Sequence, residues 1–113
     1  MHEMGICDGI VTASLEAAAK ENASRINSID VTIGVLTEIQ EEALQFAFSV
    51  LTKDSIAEGS TLNVTMVPAR SVCGECSAEF GHGRFDAKCP ECGSYVCTLV
   101  QGRELQIDSM DID

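Results

Sequence analysis

An α+β fold is predicted: a small mixed three-stranded sheet, two helices and an inserted four-cysteine zinc-ribbon domain. Three observations in the 113 residues predict it. Apolar residues recur every three or four positions in two stretches, and they alternate in three others. Two C-x-x-C pairs, Cys73-Gly-Glu-Cys76 and Cys89-Pro-Glu-Cys92, stand between the second and third alternating stretches.

From Met4 to about Asn22 the apolar positions are Met4, Cys7, Val11, Leu15 and Ala18, and Glu16-Ala-Ala-Ala-Lys20 has high helix propensity. This is the first helix. Cys7 falls on its apolar stripe and reads as a packed small hydrophobe rather than a nucleophile. Ile29, Val31, Ile33 and Val35 alternate with polar residues or glycine, which gives a strand with one buried face. Thr37-Glu-Ile-Gln40 offers a capping box for a second helix running to Lys53, with Phe46 and Phe48 expected in the core. After a polar loop around Gly59, Leu62, Val64 and Met66 alternate into a second strand that Pro68 stops. A return strand near Tyr95 leads to a turn at Gln101-Gly102 and a third strand through Leu105 and Ile107, where the apolar parity switches near Ser109. The expected domains are residues 1–68 plus 98–113, an α/β domain, and residues 69–97, the inserted ribbon.

The ribbon's chemistry follows from spacing. Two residues between cysteines let both thiolates of a pair face one ion at about 2.3 Å, and the second pair closes a tetrahedron. No position is left open for substrate, so a zinc hydrolase is excluded. Gly93 follows the second pair, and Ser77 holds the same place after the first. Two disulfides are the alternative, but no apolar signal peptide precedes the domain and a cytosolic chain keeps its thiols reduced. Iron would fit the same four sulfurs; zinc is the expected occupant of a closed site without redox partners. Cys97 lies outside both pairs and is expected as a buried strand thiol, and His82 sits mid-loop, away from them.

The formal charge is −11, with 18 acidic against 7 basic residues. In the ribbon Arg70, Arg84 and Lys88 face Glu75, Glu79, Asp86 and Glu91, so no basic stripe for nucleic acid is expected. No apolar run approaches the about 20 residues needed to cross a bilayer, and a cytoplasmic protein is expected.

The opening Met1-His2-Glu3 is chemically distinctive. A bulky second residue leaves Met1 and its amine in place. That amine, the amide nitrogen of His2 and its imidazole can close fused chelate rings. Such a nitrogen-rich, square-planar set favours Ni(II) or Cu(II) over zinc. Glu3 either ligates through its amide or carboxylate, or orients the imidazole from outside the coordination shell.

This order of parts, from Met1-His2-Glu3 through Phe46-Ala47-Phe48 and Ala57-Glu58-Gly59 to two C-x-x-C pairs and a closing strand, resembles the HypA/HybF family over the whole chain. The resemblance implies a metallochaperone for [NiFe]-hydrogenase maturation, not an enzyme. It implies nickel held by Met1, His2 and Glu3, with structural zinc at Cys73, Cys76, Cys89 and Cys92. It further implies a HypB-type GTPase partner and the hydrogenase large subunit as destination, while some members also serve urease. Monomer and homodimer both remain open. No histidine adjoins either C-x-x-C pair here, so constant four-sulfur zinc coordination is expected. The rival reading is a zinc-ribbon adapter that binds proteins and has no use for His2.

Overall fold

The computed structural model describes residues 2–84 and 86–113. They fall into two compact units, Met1–Thr32 with Ile39–Thr65 and Gln106–Asp113, and Ile33–Glu38 with Met66–Leu105.

In the first unit, helix α1 (His2–Lys20) carries Glu3 in its first turn and Lys20 in its last, the arrangement that suits the helix dipole. Its buried stripe includes Cys7, Ile10, Val11, Ser14 and Ala18. The helix ends in a Schellman motif: Asn22 takes φ 55°, its N–H donates to Ala19 O, and the Ala23 N–H donates to Ala18 O. Strand β1 (Ile26–Gly34) buries Ile26, Ile29, Val31 and Ile33. Helix α2 (Glu41–Leu51) packs on α1 and buries Leu44, Ala47 and Phe48. Its C-cap Thr52 closes the last turn by donating its hydroxyl to Phe48 O at 2.7 Å.

Strand β2 (Thr61–Val67) and strand β6 (Leu105–Ile112) flank β1 in the order β2-β1-β6. Partner numbers give the directions. Ser60 Oγ donates to Ile26 O and Asn63 Nδ2 to Asp30, so β1 and β2 run in parallel with α2 as the crossover. Asn27 donates to Asp111, Ser109 to Asp30 and Thr32 to Asp108, so β1 and β6 run antiparallel. The sheet is mixed.

Three expectations need correction. Thr37 does not cap α2. It ends a 3-10 turn, Val35–Thr37, and donates its hydroxyl to Gly34 O at 2.8 Å, whereas the N-cap of α2 is Gln40. Val35 accordingly leaves the strand and is 40% exposed. Phe46 is 67% exposed while Phe48 is 3% exposed. Two positions on a helix are about 200° apart, so both rings cannot meet one layer, and Leu44, Ala47 and Phe48 already supply the buried stripe. In β6, Leu105 and Ile107 are exposed and only Met110 and Ile112 are half-buried, as befits an edge strand.

The second unit is an antiparallel sheet, β4-β3-β5, formed by β3 (Ala69–Cys73), β4 (Glu79–His82) and β5 (Cys97–Gln101). The stretch after Tyr95 thus pairs with β3 before the chain turns at Gly102, where φ is 129°. That turn packs on Gly34 so closely that a Cβ there would lie 2.1 Å from the Gly102 carbonyl. A Cβ on Gly102 would in turn meet Ala69 Cα at 2.9 Å. The apolar cluster around the cysteines of this unit is small: Cys73, Phe80 and Cys89, with Ala78 and Cys97 against them. Among the described residues no helix is long and apolar enough to cross a membrane.

Candidate metal centre

Strand β3 delivers Cys73 at its end, and the chain then turns tightly to Cys76. The Ser77 N–H donates to Cys73 O at 3.0 Å and Ser77 takes φ 64°. The second pair repeats this design: the Gly93 N–H donates to Cys89 O at 2.9 Å and Gly93 takes φ 77°. Both residues following a pair are therefore left-handed, easily for glycine and at some cost for serine.

The four Sγ atoms lie within 4.8 Å of one another, and Cys73–Cys92 and Cys76–Cys89 are each 3.5 Å apart. Four sulfurs at about 2.3 Å from one ion would be separated by about 3.8 Å along the edges of a tetrahedron. The spacing fits a single zinc-sized ion. Cys73 and Cys89 are buried and Cys76 and Cys92 exposed, so the cluster sits at the surface with one half inside.

Electrostatics point the same way. The N–H groups of Cys76 and Glu75 point at Cys73 Sγ, at 3.5 and 3.4 Å, and hold its thiol down at about 6. Cys92 moves oppositely. The Ser94 amide favours its thiolate, but Cys73, burial and the other thiols outweigh that and push it up to about 12. Cys76, though helped by the Ala78 amide, is also raised, chiefly by Cys89. One thiolate is thus stabilised by the backbone and opposes further ionisation beside it. A divalent cation removes that conflict, because the ligands of a bound zinc are deprotonated.

His82 is placed outside this cluster, at the end of β4. Its Nδ1 is 2.7 Å from Gly83 O and must carry the proton there, leaving Nε2 to accept from the buried Ser71 hydroxyl at 2.7 Å. Its ring stacks obliquely on Phe80, 5.6 Å between centroids. Of the ribbon's cations, Arg70 pairs with Glu79 at 3.2 Å, Arg84 pairs with Glu38, and Lys88 lies over the Tyr95 ring at 5.8 Å. Cys7, the packed thiol of α1, is fully buried, and burial followed by Asp8 pushes it up to about 11. Cys97 is half-buried at the start of β5, its Sγ 3.7 Å from Ser94 O.

At the other end of the chain, Met1 lies outside the described residues and His2 is the exposed first residue of α1. Glu3 is 7% exposed. Its Oε2 accepts the Gln40 N–H at 3.0 Å, so the carboxylate of one helix serves the N-cap residue of the other. That amide, above all, holds the Glu3 carboxyl down at about 2. The partnership joins residues 37 positions apart, and neither local spacing nor residue type signals it. A shallow apolar groove lined by Glu3, Met4, Ala43, Phe46 and Ala47 adjoins it.

Residues 1–112 match a family described as hydrogenase/urease nickel incorporation, metallochaperone, hypA. Hydrogenase maturation factors HypA from Azotobacter chroococcum and Chlorobaculum tepidum are 38% and 35% identical, each alignment spanning 100% of both chains. The solution structure of the Ni metallochaperone HypA from Helicobacter pylori superposes with a TM-score of 0.67 at 24% identity, over 99% of this chain and 97% of that one. A second HypA solution structure gives 0.72, also at 24% identity, over 99% and 96%. With its two helices, its two small sheets and its four gathered sulfurs, the chain belongs to the HypA family of hydrogenase maturation factors.

Proposed function

We propose that the chain binds one Ni(II) at its N terminus, through the Met1 amine, the His2 amide and imidazole, and Glu3, and delivers it during maturation of [NiFe]-hydrogenase. Cys73, Cys76, Cys89 and Cys92 hold a structural zinc that fixes the second unit. The observation that carries this reading is the match of residues 1–112 to a nickel-incorporation family. A HypB-type GTPase and the hydrogenase large subunit are the proposed partners, in the cytoplasm, with urease maturation as a further outlet.

The local chemistry supports it. Because α1 starts at His2, the positive end of its dipole lies at the proposed site and favours the negative nitrogens of amides that a metal has deprotonated. Glu3 presents two faces. One carboxylate oxygen, Oε2, is engaged with Gln40, so the residue's share of the site is the other oxygen, its amide nitrogen or the positioning of His2. A chelate built on a chain end is released one ligand at a time, which suits cargo; four sulfurs half-buried in a ribbon suit permanence.

The test is nickel titration of zinc-loaded protein with an authentic N terminus, by calorimetry and metal counting. It runs beside His2→Ala and a variant with one residue added before Met1. The expected result is one nickel per chain in the parent and none in either variant, zinc being unchanged in all three. Equal binding by all three, or none, removes the His2 site and leaves the zinc-ribbon adapter.

A further inference from the structure

Cys97 is the one cysteine of the second unit that the four-sulfur cluster does not include. It is not an isolated thiol. It stands directly opposite Cys73 in the β3–β5 register. The neighbouring Gly74 N–H donates to Val96 O at 2.7 Å, which makes Cys73 and Cys97 the non-hydrogen-bonded pair of the ladder. Residues so paired have Cα atoms about 4.5 Å apart and side chains on the same face. Accordingly Cys97 packs against the apolar cluster formed by Cys73, Cys89 and Phe80, which contains two of the four ligand cysteines. Its thiol is near Ser94 O, the carbonyl that also accepts the Cys89 N–H at 2.9 Å. A fifth sulfur therefore adjoins the inner side of the cluster, next to the strand that delivers Cys73.

We propose that Cys97 is a reserve zinc ligand, which enters the coordination shell when the sulfur of Cys73 is removed or displaced. The inference rests on the zinc reading of the four-cysteine site. Exchange needs no oxidant: Cys97 gives its proton to solvent as its sulfur bonds the ion, and the departing Cys73 thiolate takes one up. Because the two residues share a face at one rung of the ladder, a side-chain rotation accomplishes the swap while β3 and β5 keep their register. Cys76, Cys89 and Cys92 have no equivalent neighbour across a ladder among the described residues, so the reserve belongs to one corner of the tetrahedron.

The experiment counts sulfurs around zinc by X-ray absorption, with the cobalt-substituted optical spectrum as a second readout, on the full chain. The parent and Cys97→Ser are expected to show four sulfurs. Cys73→Ala should also show four, at one zinc per chain, and Cys73→Ala with Cys97→Ser should fall to three sulfurs or lose the metal. Three sulfurs in Cys73→Ala alone, loss of its zinc, or a count indifferent to Cys97 overturns the proposal. A parent chain that takes up no zinc fails the underlying reading instead, so the two failures are distinguishable.

Discussion

Removing zinc from the purified chain is expected to unfold the second unit and spare the first. Beside the four-cysteine site the buried apolar cluster has one large side chain, Phe80 at 7% exposure, next to the small Cys73 and Cys89. Burying a phenylalanine is worth about 1.5–3 kcal/mol, against binding on the order of 10 kcal/mol for a structural zinc. The metal thus outweighs the packing severalfold. The first unit has Ile26, Ile29, Val31 and Leu44 at 1% exposure or less, and owes nothing to the ion. The assay is residue-resolved amide NMR during titration with a strong zinc chelator. Val72, Phe80 and Thr98 should collapse towards random-coil shifts while Ile29, Val31 and Ala47 keep their dispersion, and restoring zinc should reverse the change. Persisting dispersion and exchange protection in β3–β5 without metal would refute the reasoning, as would a single transition that melts both units together.

Three further outcomes are expected. Phe48→Ala should cost about 3–5 kcal/mol of stability in urea unfolding, while Phe46→Ala should change it by about 0.5 kcal/mol or less; equal effects would mean that α2 is rotated. Glu3 has a folded-state pKa held down at about 2 by the Gln40 amide, below the about 4.3 of an unfolded glutamate. Its contribution is therefore complete above about pH 4.3 and lost as pH falls through about 2. Acid titrations of the parent and Glu3→Gln should differ above that window and converge below it, and a constant gap would be the contrary result. Zinc should keep four sulfur ligands between neutral and mildly acidic pH, since His82 is engaged by Ser71 and Gly83; a nitrogen ligand in the X-ray absorption spectrum at the lower pH would contradict this.

What could be read in the sequence was what depends on neighbours along the chain. Two residues between cysteines dictate a chelating turn wherever they occur, and α1 and β1 announce themselves because periodicity is local. The corrections share the opposite character. Whether Phe46 or Phe48 faces the core is decided by which side of α2 meets α1 and the sheet. Thr37 has the composition of a cap, but its hydroxyl closes a turn on Gly34 three residues after the crowded approach of Gly34 to Gly102 has ended the strand. Cys97 looked like a generic strand thiol until the β3–β5 register set it against Cys73. Glu3 was visible as a candidate, yet its partner Gln40 contributes a backbone amide, and no side-chain pattern encodes that.

The bond from Glu3 to Gln40 also limits how far the proposed cargo site can travel. Where that carboxylate is pinned, at 3.0 Å from an amide of the other helix, the backbone has a pivot. Of the proposed nickel ligands, only Met1 and His2 lie beyond it. Two residues fully extended span about 7 Å, less than the diameter of one helix with its side chains. A nickel ion in the proposed site would have no arm on which to swing out through solvent. Its recipient would have to bring its own ligands down to the end of α1, so the distance would be closed by the approach of the acceptor and not by a movement of the carrier.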